Sequence, residues 1–328
     1  MILTLQNVIY YLYSNNFIEE KRIFENTIEA RQEESLNNTF LVRFKDKKGT
    51  IQNDGRVVKQ AFKLSDEQRI SLRKDAYFTC IFEKDLILTS SQNCLDTLKS
   101  SIDDEKLIFI RRYLSGMNFY SFLKSLFQES PNIRIQKKID INITTNVIFE
   151  KINAVHNFKL IDKEIISLNL SFPISIIVPK VNSSLLQQFW RIVGNPFKQF
   201  IKDESEKWGK VDGYKQLIHG DFSLRNILYS DENKFYFVDW EFAQYGNPVW
   251  DYAWLISDIE ITFAKEEFKE LIESLKKNIY DSINDKVFLE KYILTAKLRR
   301  ALRNINEGVF SEETAKTVSR LNSAFEKL

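Results

Sequence analysis

The stretch His219-Gly220-Asp221-Phe222-Ser223-Leu224-Arg225-Asn226, followed by Val238-Asp239-Trp240-Glu241, decides how the chain is read. An acid at 221, an amide at 226 and a second acid at 239 suit metal-assisted phosphoryl transfer. One carboxylate accepts the proton of an attacking hydroxyl, while the amide and the other carboxylate hold a divalent ion against phosphate. Between them, Ile227-Leu228-Tyr229 and Lys234-Phe235-Tyr236-Phe237-Val238 read as two short strands around an Asp231-Glu232-Asn233 turn. Such a hairpin returns Asn226 and Asp239 to the same end, where one ion can bridge them.

Composition permits this chemistry without demanding it. The 328 residues suffice for two lobes and a sizeable core. Hydrophobic residues make up 44% and charged residues 28%, as in an ordinary globular protein. The net charge of +2 leaves no electrostatic footprint for nucleic acid or an anionic membrane surface. Cys80 and Cys94 lie outside any metal-ligand spacing and read as reduced thiols. No apolar run is long enough to span a membrane, and the segment from Met1 to Phe17 lacks a basic leader, so the expectation is a cytoplasmic protein.

The chain changes character near residue 114. Before it, an opening helix is expected over about Leu5–Ser14, with Leu5, Val8, Ile9 and Leu12 on one face. Alternating runs at Arg22–Ala30 and Thr39–Phe44 read as strands. Beyond the Asn53-Asp54-Gly55 turn, Arg56–Ala61 pairs with the second of them as a hairpin. A helix capped by Ser65 runs to about Phe82, and a further strand covers about Lys106–Arg111. After residue 114 the pattern is helical: Met117–Phe127, Thr145–Phe158, a helix begun by Asn182 or Ser183 and ended or kinked at Gly194-Asn195-Pro196, then Ile259–Asn278 and Lys286–Gly308. Ser171–Lys180 reads as an irregular connection. The expected class is α+β and bilobal, with a small antiparallel-sheet lobe over 1–113 and a larger, mostly helical lobe over 114–328.

These residues resemble the aminoglycoside phosphotransferase and choline kinase superfamily, the small-molecule branch of the protein-kinase-like fold. His219-Gly220-Asp221 with Asn226 is similar to its catalytic loop, and Asp239-Trp240-Glu241 to its metal-binding segment. Gly246-Asn247-Pro248-Val249-Trp250-Asp251-Tyr252-Ala253 is similar to the usual continuation. Upstream, Val57-Val58-Lys59-Gln60 resembles the strand bearing a phosphate-binding lysine, and Ala154-Val155-His156 the helix end before the catalytic region. The chain's two histidines both fall where this family places one.

The resemblance implies roles. Asp221 is the catalytic base, and Asn226 and Asp239 are Mg2+ ligands of the hard-oxygen type that this ion prefers. Glu241 is a candidate for a second ion or the substrate, with a solvent-facing charge as the alternative. Lys59 pairs with the nucleotide phosphates and needs a carboxylate from the following helix. The family has glutamate there, whereas this chain offers the shorter Asp75, with Glu67 as a fallback. Arg225 also occurs in the tyrosine-kinase version of the loop and is a candidate substrate or phosphate contact, against an ordinary salt bridge. His219 orders the loop, His156 is a core histidine, and Asp251 caps the helix starting near Tyr252 and braces the loop.

The phosphate-covering loop departs from the protein-kinase pattern. Ser35-Leu36-Asn37-Asn38-Thr39 contains no glycine, which leaves Asn38 and its neighbours to present donors. The segment Ile110-Arg111-Arg112-Tyr113-Leu114, with Arg112 and Leu114 as its nucleotide-binding candidates, is expected to offer backbone hydrogen bonds to adenine. ATP is the default nucleotide and GTP stays open. The expected partner is a small hydroxyl-bearing substrate, not nucleic acid or a membrane. Trp240, Trp250 and Trp254, with Phe242, Tyr245 and Tyr252, offer an aromatic cage for a quaternary ammonium or, more simply, core packing. A protein or peptide kinase and a silent nucleotide-binding scaffold are the alternatives. The acceptor depends on residues of about 161–215, which carry no decodable motif.

Overall fold

The structure is a computed structural model that describes residues 2–25, 27–33, 38–51, 55–61, 66–83, 86, 102–103, 108–113, 116–127, 146–159, 183–208, 213–230, 234–263, 269–305 and 311–328. The chain divides into two compact units, Met1–Phe122 with Arg225–Phe242, and Leu123–Leu224 with Ala243–Leu328. The division expected at 113/114 thus falls later, and the 225–242 hairpin belongs to the first unit.

In the first unit, α1 (Val8–Ser14) and the short α2 (Glu20–Glu25) precede β1 (Thr27–Glu33), β2 (Asn38–Lys45) and β3 (Arg56–Gln60). The 17-residue α3 (Asp66–Phe82) follows, then β4 (Ile102–Asp103), β5 (Ile108–Arg112) and β6 (Gly116–Asn118). The strand expected over Arg22–Ala30 is therefore split: the charged Glu20–Glu25 segment coils into a helical turn with Lys21 and Glu25 one turn apart. The sheet is antiparallel in the order β1-β2-β3-β5-β4. Its register places Thr39 opposite Lys59, and Lys59 opposite Phe109.

Strand alternation sorts the residues of this sheet onto two faces. Phe40, Val42, Phe44, Val58, Ile108 and Ile110 pack against Leu3, Val8, Tyr11 and Leu12 of the N-terminal segment. On the opposite face, Phe109 packs with Ala61, Leu72 and Ala76, the last two from α3. Lys59, flanked by Val58 and Gln60 of the first face, is thereby turned toward α3. The Ser65 cap and the 53–54 turn lie outside the described residues. Cys80 on α3 is buried and disulfide-bonded, which corrects the expectation of a reduced thiol.

The second unit is helical apart from a two-stranded ladder. A helix over residues 146–156 (α5) follows α4 (Phe119–Phe127), which begins in the first unit. Then come α6 (Ser183–Ile192), α7 (Asn195–Trp208) and β7 (Gln216–Ile218). The hairpin strands β8 (Ile227–Ser230) and β9 (Phe235–Phe237) return to the first unit, where they pair with β6. Back in the second unit, β10 (Gln244–Gly246) pairs with β7, and α8 (Val249–Thr262), α9 (Lys269–Ser282), α10 (Lys286–Ile305) and α11 (Glu312–Phe325) complete the chain. Gly194-Asn195-Pro196 separates α6 from α7, as expected of a proline tolerated in a helix's first turn. Asn322 of α11 secures that break: its amide donates to Ile192 O at 2.7 Å and accepts from Gly194 N at 2.9 Å. Buried Glu204 of α7 accepts from Tyr214 and Tyr292, tying three segments together.

Two positions give stability tests. A methyl group at Gly246 would lie 2.6 Å from the ring of buried Trp208 and 2.8 Å from Ile218. Gly246→Ala is therefore expected to cost roughly 1–3 kcal/mol by overpacking, read as a lower Tm; an unchanged Tm contradicts the packing. Burial on α3 pushes the Lys74 ammonium down to about 8 from its usual 10.5. The unfolded chain then binds more protons across that interval, so the burial penalty is full below about pH 8 and fades toward pH 10.5. Lys74→Met is expected to raise Tm at pH 7 and to lose most of that advantage at pH 10, measured by calorimetry at both values.

Candidate active site

The first unit gathers the residues expected to hold nucleotide and metal. Lys59 is 7% exposed, and its Nζ lies 2.6 Å from Asp75 Oδ2 and 2.5 Å from Asp239 Oδ1. Burial alone would lower its pKa. Asp239, then Asp75 and Glu241, outweigh burial and hold the ammonium well above its ordinary value, so it is charged. Asp75 is thus an α3 carboxylate of Lys59, and one methylene fewer has not loosened the pair. The Glu67 side chain lies outside the described residues. Asp75 also accepts Trp240 N at 3.0 Å through its other oxygen.

That second bond is part of a three-point attachment of α3 to the 225–242 segment. Buried Glu83, just past α3, accepts Phe237 N at 2.8 Å. The Trp240 ring stacks on Phe82 with centroids 5.0 Å apart. In the hairpin itself, Ile227 lies opposite Phe237, and Val238 N donates to Asn226 O at 2.9 Å. Asn226 and Asp239 therefore emerge at the same end, as the turn-flanked strands suggested. Asp239 sits in the left-handed region at φ 71°, which costs a non-glycine residue of order 1 kcal/mol and aims its carboxylate at Lys59.

Glu241 lies in a 3-10 turn, Trp240–Phe242, with its carboxylate 3.4 Å from Ser71 Oγ. Arg225 is exposed, its guanidinium 5.9 Å from the centroid of Tyr120. Asn38, expected to present a donor to phosphate, is buried instead. Its amide donates to Leu3 O at 2.8 Å and accepts from Gln32 at 2.6 Å, so it packs the N-terminal segment against the sheet. Arg112 ends β5 opposite Arg56, and Leu114 lies outside the described residues. Among the described residues no group of three or more His, Cys, Asp or Glu could hold a metal ion. One amide and one carboxylate nonetheless fit Mg2+, which commonly takes one or two protein oxygens and fills its shell with phosphate and water.

The second unit builds the acid loop. Gly220 sits at φ 80° and Ser223 N donates to Asp221 O at 2.8 Å, a tight turn around the acid. Asp251, fully buried on the first turn of α8, accepts His219 N at 2.8 Å and Gly220 N at 2.9 Å, with His156 Nε2 3.0 Å from the same carboxylate. It braces the loop as expected but does not cap α8, whose N-cap is Pro248. Asp258, two turns further along α8, accepts Leu224 N at 2.7 Å and pairs with Arg300 at 2.6 Å. Sequence reasoning missed Asp258, although its seven-residue spacing from Asp251 was the available signal. Buried His219 lies within the loop, its Nδ1 3.4 Å from Asp221 N.

Trp250 and Trp254 are buried, and their faces are covered from within. The Arg299 guanidinium lies 4.4 Å from the Trp254 centroid and 5.7 Å from that of Trp250, while Arg300 lies 4.6 Å from Trp254. These rings are core whose cation sites are filled by the chain's own arginines. Arg299 Nη1 also lies 3.9 Å from Asp221 Oδ1. Among the described residues no helix is long and apolar enough to cross a membrane.

One substitution tests the lysine pair. Asp75→Ala strips a carboxylate from a buried ammonium and should cost about 3 kcal/mol in urea unfolding. Adding Lys59→Met should recover part of the loss, and a cost no larger than that of an exposed salt bridge contradicts the pairing.

The comparisons agree with this geometry. No curated protein sequence matches the chain. The phosphotransferase enzyme family model matches residues 184–283. Among solved structures, aminoglycoside phosphotransferase APH(4)-Ia superposes with a TM-score of 0.59 at 12% identity, covering 99% of each chain. A choline kinase from Streptococcus pneumoniae gives 0.54 at 15%, covering 96% of this chain and 99% of its own. APH(2")-IIa, solved as a ternary complex with streptomycin and ATP, gives 0.54 at 15%, covering 98% and 99%. The acid loop, α8 and the following helix lie within the matched segment, which is similar to the phosphotransferase enzyme family, and the likeness to the solved structures shows their kinase-like fold in this chain.

Proposed function

We propose that the protein transfers the γ-phosphoryl group of ATP to a hydroxyl of a small molecule. The observation that carries this reading is buried Lys59 held jointly by Asp75 and Asp239, an ammonium kept charged beside the carboxylate and amide that suit a metal-bound phosphate. Lys59 binds the nucleotide phosphates, and Asp75 keeps its ammonium aimed and charged. Asn226 and Asp239 would hold Mg2+, which supplies neutralisation of phosphate charge when bound. Asp221 accepts the acceptor hydroxyl's proton or orients that hydroxyl in line with the γ-phosphorus, and the clamp of Asp251 and Asp258 keeps its backbone in place. On this reading the activity belongs in the cytoplasm, where ATP is at hand.

The acceptor's charge follows from Arg299. A guanidinium beside the base leaves the pair nearly neutral, so a cationic acceptor gains little attraction there, and Trp250 and Trp254 already face the chain's own arginines. Neutral or anionic hydroxyl compounds are the better substrates on this reading.

A phosphotransfer assay over amino alcohols, aminoglycosides, sugars and sugar acids tests both parts. Turnover is expected with a neutral or anionic member. Preference for a cationic amine overturns the acceptor reading, and no turnover with any member counts against transfer itself. With the best acceptor, Asp221→Asn should lower kcat roughly a hundred- to ten-thousand-fold while thermal stabilisation by Mg-ATP persists. Asp239→Ala should abolish that stabilisation. Undiminished turnover in Asp221→Asn contradicts the assigned base.

A further inference from the structure

Around Asn247–Val249 the second unit holds a cavity of about 520 Å3 that phosphoryl transfer leaves without a role. Neither Asp221 nor Arg299 is part of its wall. The wall carries five carboxamides, from Asn153, Asn157, Gln216, Asn247 and Asn284, and among the described residues no lysine, arginine, aspartate or glutamate lines it. A charged ligand entering such a place would give up hydration and meet no counter-charge. A carboxamide both donates and accepts, as does a hydroxyl, so a ligand dense in neutral hydroxyls matches this surface group for group. The volume falls within the range of small-molecule sites and has room for a mono- or disaccharide.

The wall is held in advance of any ligand. Asn157 Nδ2 donates to Asn153 O at 2.9 Å, Asn247 Oδ1 accepts Val249 N at 3.0 Å, and the Tyr252 hydroxyl donates to the Asn153 side chain. Pre-ordered polar groups cost little further entropy on binding. The wall also reaches the acid loop through one carboxylate. His156, a wall residue, lies 3.0 Å from Asp251 Oδ2, and Asp251 accepts the N–H groups of His219 and Gly220 immediately before Asp221.

We propose that this cavity is an accessory binding site for a neutral, polyhydroxylated small molecule of mono- or disaccharide size, whose occupancy is felt at the acid loop through His156 and Asp251. Binding here does not depend on the phosphotransferase reading, so the two can fail separately.

Saturation-transfer NMR on the full chain tests it, with myo-inositol, glucose and trehalose as probes and glucose 6-phosphate and glucosamine as charged controls, all at equal millimolar concentration. Two variants close the site: Asn284→Trp, which fills it from an exposed rim position, and Gln216→Leu, which removes one amide at similar volume. A signal is expected from at least one neutral probe and from neither charged control. That signal should vanish in Asn284→Trp and weaken in Gln216→Leu, with Tm near that of the parent, and the His219 and Gly220 amide resonances should shift on binding. Silence from all three neutral probes, equal signals from the charged controls, or a signal that survives in both variants overturns the site. Unmoved His219 and Gly220 resonances on binding overturn the link to the loop.

Discussion

A single buried ammonium organises the first unit. Lys59 carries its charge on the face of the sheet where Leu72, Ala76 and Phe109 pack, with buried Arg111 near enough to oppose it. Burying a lone charge is among the costliest things a fold can do, so Asp75 and Asp239 have to converge on it. Once they do, much else is constrained. Asp75 fixes α3 against β3, and its second oxygen holds Trp240 N. Asp239 is held in a left-handed backbone conformation by the partner it faces. The hairpin then delivers Asn226 to the same end as Asp239 through a backbone hydrogen bond. Stability and chemistry thus draw on the same contacts.

The second unit solves a different problem with the same means. A largely buried loop around an acid has backbone N–H groups with no helical or strand partners, and such groups need acceptors. Asp251 and Asp258, on one face of α8, provide them at the two ends of the loop. Arg300 and His156 attend these acids, and Arg299 attends Asp221 itself.

Much of this was legible in the residues. The hairpin at 227–237 followed from two short apolar runs around a turn, and the β2–β3 pairing from alternation at Phe40, Val42 and Phe44. The acid, amide and acid spacing identified the loop because chemistry restricts those residue types more tightly than packing restricts hydrophobic ones. The failures have physical causes. Residues 22–25 read as the start of a strand because alternation over a few residues cannot distinguish a strand from one helical turn. The expected helix over Ile259–Asn278 bridged what are two helices, α8 and α9. The final helix went unread although Ser311 caps it by accepting Thr314 N, and Val318, Leu321 and Phe325 recur at helical spacing. Asn38 looked available to phosphate because its binding to Leu3 and Gln32 is a tertiary fact. The tryptophans read as a cage or, more simply, as core packing, and the placement of Arg299 and Arg300 beside Trp254 agrees with core packing.

The role proposed for Asn226 and Asp239 together is open to direct observation. Crystals grown with a non-hydrolysable ATP analogue and Mn2+ in place of Mg2+ would locate the metal by its anomalous scattering. The predicted result is a manganese peak coordinated by the Asn226 amide oxygen and the Asp239 carboxylate, with Lys59 still paired to Asp75. A nucleotide-bound structure whose metal contacts neither side chain would contradict the proposed chemistry, whatever the assays of turnover gave.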